Sequence, residues 1–198
     1  MISKVNAQTS EEAKWFLEKI QERQEQLAKE LRIQIVVLND QGEPVTESSQ
    51  QSTIIRLIRK SPKGKELCNQ SYAQAGDLVI ANSDSLSIKI FDGLISFWAP
   101  VATAGGRIIG SVVGGGGPFA VKKADPEDFE EKLSKFYQNA DLKSAGVSEE
   151  DLRNAVQGTP VFAPDSVQRK ITEFGRTIGI LSEETEFGKF FNLSPKKD

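Results

Sequence analysis

Apolar residues at helical spacing open the chain. Between residues 10 and 31 they recur every three or four positions, which is typical of an amphipathic helix. Thr9 or Ser10 forms a capping-box pattern with Glu12, in which the hydroxyl accepts a backbone N–H bond and the carboxylate reaches back. The pattern predicts an N-terminal helix whose apolar face packs on its own domain or, alternatively, forms a dimer seam.

Alternating and β-branched segments follow, and they predict strands. Residues 33–47 combine a β-branched run, an Asp-Gln-Gly turn and a second extended piece, which indicates a hairpin. Residues 85–91 alternate strictly, residues 94–103 end at an Ala-Gly-Gly turn, and residues 107–114 return from it. We expect the last three segments to form a contiguous antiparallel meander, because consecutive strands usually pair.

Two short helices are predicted between the first strand and the meander. They cover residues 50–60 and 61–75, and a Ser-Pro dipeptide suited to a helix start opens the second. Cys68 and Tyr72 lie four residues apart on it and share a face. A lone helical cysteine among apolar residues is more often a small buried side chain than a reactive thiol.

The chain after the meander is mainly helical. Helices are predicted to begin at Asp125, at the Ser148 capping box and near residue 165. The last helix carries a 4-3-4-3-4 spacing of heptad type, formed by Val167, Ile171, Phe174, Ile178, Leu181 and Thr185. This seam has two interpretations. In the first, the helix packs on its own domain. In the second, it pairs with the same helix of a second copy in a dimer and transmits strain to an output module.

The order of elements predicts one α+β domain. The change from strands to helices over residues 118–128 is interpreted as a connection inside that domain. We divide the chain into an N-terminal helix over 1–32, an α+β core over 33–163, and a C-terminal helix and tail over 164–198.

Histidine is absent from the sequence, and this limits the chemistry that the chain can perform. The Ser-His-Asp and Cys-His catalytic arrangements cannot form, and Cys68 alone cannot complete a zinc site or an internal disulfide. The formal net charge of −3 leaves no electrostatic footprint for nucleic acid. No segment resembles a membrane span or a signal peptide. We expect a cytoplasmic, non-enzymatic protein without a cofactor that binds neither nucleic acid nor membrane.

Four consecutive glycines, residues 114–117, end the last predicted strand. A phosphate-binding loop would need a following Gly-Lys-Ser/Thr at a helix start, whereas Pro118 and Phe119 follow here. Missing side chains at a strand end either leave room for a ligand or mark a bulged terminus in a filled core. In the first case the walls of the space would be aromatic, formed by Phe91, Phe97, Trp98 and Phe119.

The order of these motifs resembles the PocR sensory domain, a PAS/GAF-like ligand-sensing module of bacterial regulators and histidine kinases. The resemblance covers residues 15–185. Cys68 matches the helical cysteine of the family, and the segments GLISFWAP and GGRIIGSVVGG match its two glycine-bearing strands. It implies a central antiparallel sheet flanked by helices, with long N- and C-terminal helices. It also implies a pocket for a small organic molecule, such as an alcohol or another small hydrocarbon derivative, and no catalysis.

Two departures from the family pattern concern the pocket. Ile90, Phe91 and Asp92 stand where the family commonly has Cys-His-Ala, and Gly116 stands where it commonly has Gln. The ligand of this chain is therefore expected to be more apolar than those of the family. A domain that binds nothing is the alternative.

We predict a ligand site between the sheet and the helix that carries Cys68. Its members are Cys68, Tyr72, Ile90, Phe91, Phe97, Trp98, Gly115 and Gly116. The expected partners are a small organic molecule, a second copy of the chain, and an output kinase or DNA-binding module in the same or another chain. The alternative hypothesis is a degenerate domain that serves as a dimerisation or protein-interaction scaffold without a ligand.

Overall fold

A computed structural model describes residues 10–50, 52–82, 86–90, 94–118, 126–157 and 164–191. In chain order, the helices of this part are α1 (Glu11–Leu31), α2 (Thr53–Ile58), α3 (Pro62–Asn82), α4 (Pro126–Tyr137), α5 (Ala140–Ser144), α6 (Glu149–Gln157), α7 (Pro164–Glu184) and a 3₁₀ helix (Glu186–Phe191). The strands are β1 (Gln34–Asn39), β2 (Leu86–Ile90), β3 (Leu94–Ala102) and β4 (Ile108–Pro118).

Serine side chains begin several of these helices. Ser10 Oγ accepts a hydrogen bond from the Ala13 N–H at 3.2 Å and caps α1, whereas Thr9 lies outside the described residues. Ser61 and Ser148 accept backbone N–H groups at the starts of α3 and α6 in the same way. Such bonds satisfy N–H groups that have no partner within the helix.

The strands form one antiparallel four-stranded sheet in the order β1-β4-β3-β2. The predicted meander is confirmed as β2-β3-β4, and β1 joins its far edge beside β4. The hairpin predicted over residues 33–47 contains only one regular strand. Its returning part touches β1 through isolated bridges, such as the one between Leu38 and Pro44.

The two faces of the sheet are covered by different helices, because successive side chains of a strand point to opposite sides. We call one side the α7 face. It packs against α1, α7 and the 3₁₀ helix and carries Ile35, Val37, Phe97, Ala99 and Val112. We call the opposite side the α3 face. It is covered by α2 and α3 and carries Gln34, Val36, Ser96, Trp98 and Val113.

The heptad seam of α7 packs on the chain's own sheet. Val167, Ile171, Phe174 and Ile178 are buried in the same core as Phe97 and Val112. Of the two interpretations of the seam, the structure therefore favours packing within the domain. A dimer that formed through these side chains would first have to expose that core.

A second core lies on the α3 side of the sheet. It joins side chains of α2 and α3 to those of α4, α5, α6 and the turn after α5, among them Ile55, Ile58, Cys68, Phe136, Leu142 and Leu152. The helix α3 runs past the predicted end at residue 75 to Asn82, although it contains Gly76. Glycine costs a helix roughly 1 kcal/mol relative to alanine, and packing on the sheet outweighs that cost. The α+β class and the long terminal helices are confirmed.

Candidate functional site

Three rows of side chains cross the α3 face of the sheet. Strand register places Gln34 and Ser96 on either side of Gly115 in the first row. The second row contains Val36, Val113 and Trp98, and the third contains Leu38, Ser111 and Pro100. Gly115 contributes no side chain to the first row, so its two polar members are separated by backbone alone.

Gln34 is a buried amide with an unused acceptor. Only 5% of the residue is exposed, and its Oε1 atom has no hydrogen-bond partner among the described residues. Buried polar atoms are almost always paired, since an unpaired one loses its water without compensation. An unpaired acceptor in the row of Gly115 is therefore a group that a ligand could satisfy.

Ser96 faces Gln34 across Gly115, and it is 2% exposed. Gly115 itself has a φ of +139°, a conformation that residues with side chains rarely adopt. The backbone angle at this position thus favours glycine. All the residues of the three rows are uncharged.

Trp98 lies directly under α3. A Cβ atom placed on Gly76 would be 3.8 Å from Cζ3 of the indole, which is ordinary van der Waals contact. The side chain is fully buried, although Trp98 belongs to neither of the two main clusters. The indole therefore packs between β3 and this part of α3.

Cys68 is fully buried in the second core, two turns before Gly76 on α3. Burial raises the pKa of its thiol, and the positive charge of Arg59 opposes this shift only in part. Because the thiolate is the reactive form, this cysteine is a poor nucleophile near neutral pH. Among the described residues, no cluster of cysteine and carboxylate side chains is arranged to hold a metal ion.

The predicted aromatic wall is divided by the sheet. Phe97 lies on the α7 face, in the core that contains Ile171, and so does not share a space with Trp98 and Gly115. On that same face a Cβ on Gly114 would be 2.3 Å from Ile171 Cδ1. The room left by Gly114 is thus filled by the protein's own side chain.

Several predicted members of the site cannot be placed. Phe91 and Phe119 lie outside the described residues, and so do the side chains of Tyr72 and Ile90, which belong to α3 and β2. Gly116 belongs to β4 at a register irregularity, where Ser96 pairs with Gly115 and Ile95 pairs with Gly117. It is therefore an extra residue of β4, as in a β-bulge.

Sequence reasoning missed the polar members of the rows. Gln34, Ser96 and Ser111 are all buried; Gln34 begins β1, and the two serines interrupt the apolar runs of β3 and β4. Their polarity was visible in the sequence. What was missing was the position of β1 beside β4, which brings Gln34 opposite Ser96.

An antiparallel sheet between terminal helices and an inner helical layer has the plan of PAS/GAF-like sensory modules. The sequence model of the family described as "Sensory domain found in PocR" matches residues 15–186. The chain therefore belongs to the PocR sensory-domain family, a family of sensory rather than catalytic domains. Searches of curated proteins and of solved structures gave no significant match. None of the described helices combines the length and the apolar character needed to cross a bilayer.

Proposed function

We propose that this sensory domain binds a small uncharged organic molecule between α3 and the α3 face of the sheet. The observation that carries the proposal is the buried Oε1 atom of Gln34, which has no hydrogen-bond partner among the described residues; Gln34 pairs with Gly115 in the sheet register. The ligand would donate a hydrogen bond to this oxygen and pack its apolar part on Trp98.

The uncharged character of the ligand follows from the rows that would surround it. No residue of the three rows carries a charge, and burying an unpaired charge is far more costly than burying a paired hydroxyl or amide. A hydroxyl or an amide N–H on a compact apolar skeleton fits these groups. Ligands of this kind agree with what the family resemblance implies.

Binding, rather than chemistry, is the role that the available groups support. The sequence contains no histidine, and the thiol of Cys68 is buried with a raised pKa. Tyr72, Ile90, Phe91 and Gly116 remain predicted members of the site. Phe97 is left out because it lies on the other face.

The signal would leave through α1 and α7, which pack on the α7 face. A ligand shifts a conformational equilibrium only if it binds two arrangements of the protein with different affinities. We propose that the terminal helices differ between these arrangements and act on an output kinase or a DNA-binding module, in the same or another chain. Association of two copies would place two such helix pairs side by side.

The test is a thermal-shift screen of uncharged fragments in matched pairs. One member of each pair is an alcohol or a primary amide, which has a hydrogen-bond donor, and the other is the corresponding ether or ketone, which has none. Donor-bearing members should raise the melting temperature more than their analogues, because only they satisfy Gln34 Oε1. A ligand at a hundred times its dissociation constant adds about 2.7 kcal/mol to the free energy of unfolding. Native mass spectrometry of protein purified from cells would show an endogenous adduct.

The matched variants are Gln34→Leu and, as a control at an exposed position after α4, Gln138→Leu. Gln34→Leu should weaken the preferred fragment about tenfold, whereas Gln138→Leu should leave its affinity unchanged. Equal affinity for the donor-bearing fragments and their analogues would show that Gln34 does not bind the ligand. If no fragment binds and no adduct is found, the scaffold without a ligand becomes the better description.

A further inference from the structure

Two hydrogen bonds fasten α7 to β3 and to the hairpin that follows it. Gln168, near the start of α7, donates through Nε2 to the backbone carbonyl of Trp98 at 3.0 Å. Glu183, near its end, accepts the N–H of Ala104 at 2.7 Å through Oε2. Residue numbers rise together along both elements, so the helix and the strand run in the same direction.

Two close backbone contacts lie between these hydrogen bonds. A Cβ on Gly175 would be 2.7 Å from the carbonyl oxygen of Pro100, and one on Gly179 would be 1.8 Å from that of Ala102. Cβ atoms are essentially never found at such distances, so the approach requires glycine at both positions. Together with the hydrogen bonds, these contacts hold α7 in one register along β3.

The contacts lie beyond the described pairing of β2 with β3. The pairing of β2 with β3 ends at Leu86 and Trp98, and the carbonyls of Pro100 and Ala102 lie beyond it. Along this part of β3, α7 thus lies directly against backbone carbonyls of the strand. If β3 moved and α7 did not, the two hydrogen bonds and the two close contacts between glycine and carbonyl groups would break.

Trp98 therefore contacts both helical layers. Its indole lies against α3 on the side of the proposed ligand, and its carbonyl accepts the hydrogen bond from α7. We infer that Gln168 is a positioning residue through which a displacement of β3 at Trp98 moves α7. The inference deepens the proposed function and rests on it for the nature of the signal. The mechanical link itself can be tested without any ligand.

The first test uses fluorine NMR of protein labelled with 5-fluorotryptophan. The sequence has two tryptophans, and Trp15 on α1 is 52% exposed and serves as the internal reference. Gln168→Glu keeps the size of the side chain and removes the N–H donor. It should shift the Trp98 resonance and leave that of Trp15 in place. The control Thr177→Ala, at an exposed position of α7, should shift neither.

The second test measures the coupling from the other side, because coupling between two sites is reciprocal. Trp98→Phe should change hydrogen exchange of the α7 amides near Gln168 about fivefold, the effect of one neutral hydrogen bond. In the Gln168→Glu background this change should be lost.

A Trp98 resonance that is unmoved by Gln168→Glu would overturn the inference. So would exchange changes of equal size in the two backgrounds. The NMR arm does not need Trp98→Phe and so remains decisive if that variant does not fold. A failed fragment screen, in contrast, would count against the proposed ligand site and leave this link intact.

Discussion

At the scale of single residues, two buried glutamines differ in how well the fold satisfies them. Gln24 of α1 donates through Nε2 to the Glu47 carbonyl and to Ser49 Oγ, both at 2.7 Å, and its Oε1 accepts from Thr46 Oγ1 at 2.5 Å. Gln34 has an Oε1 without a partner among the described residues. The first network ties α1 to the segment after β1, whereas the Oε1 atom of Gln34 makes no such link within the described part of the chain.

This difference predicts stability changes of opposite sign. Gln24→Leu should lower the free energy of unfolding by about 2 kcal/mol, because it leaves buried partners unpaired. Gln34→Leu should raise it by about 1 kcal/mol, because it removes an acceptor that is buried without compensation. Urea unfolding of the two variants provides the measurement. Destabilisation of similar size in both would show that Gln34 is satisfied in solution.

The sequence predicted residues of the site unevenly, and the reasons are physical. The glycine run pointed to the right end of β4, but it could not separate Gly114, whose space Ile171 fills, from Gly115 on the opposite face. Phe97 and Trp98 are neighbours in sequence, and strand alternation necessarily places them on opposite sides. The side on which each residue lies depends on which helix covers which face, and no local pattern contains that information.

At the scale of elements, the glycines of helices have different roles. A Cβ on Gly179 of α7 would overlap the Ala102 carbonyl at 1.8 Å, whereas one on Gly76 of α3 would be 3.8 Å from the Trp98 ring. The helix propensities at the two positions are alike, and only the surroundings differ. From the sequence alone, both glycines weaken a helix, and Gly175 and Gly179 argue against an isolated coiled coil. The structure adds the reason for the pair in α7, which is close approach to β3.

The same comparison gives a prediction for two alanine variants. Gly179→Ala should cost about 3 kcal/mol or more, because α7 must move away from backbone atoms that cannot yield. Gly76→Ala should add up to about 1 kcal/mol, since it improves helix propensity at no steric cost. Thermal unfolding followed by circular dichroism measures both. A neutral Gly179→Ala would mean that α7 is not held against β3.

At the scale of the whole molecule, the sheet separates two cores. The helices α1 and α7 cover one face, and α2 to α6 build the second core on the opposite side. The class and the meander were predictable from alternation and turn residues. The place of β1 was not, because it depends on a crossover connection and on long-range pairing with β4. The heptad seam was ambiguous, because packing on a sheet and pairing with the same helix of a second copy require the same spacing of apolar residues.

Packing of that seam inside the domain predicts how a cavity variant unfolds. Ile171 is fully buried, so Ile171→Ala should lower the free energy of unfolding by about 2–5 kcal/mol. The loss should be the same at all protein concentrations, because it arises within one chain. A loss that grows on dilution, together with a change of mass in sedimentation, would place Ile171 at a contact between copies instead.

The burial of Cys68 has a practical consequence for spectroscopy. A maleimide dye or a nitroxide spin label needs an accessible thiolate, and this thiol is enclosed and has a raised pKa. A cysteine introduced by Thr177→Cys on the outer surface of α7 would therefore react first in the natural background. With a second label on α1, electron-paramagnetic-resonance distances could follow the separation of the two terminal helices while the only native cysteine stays in place.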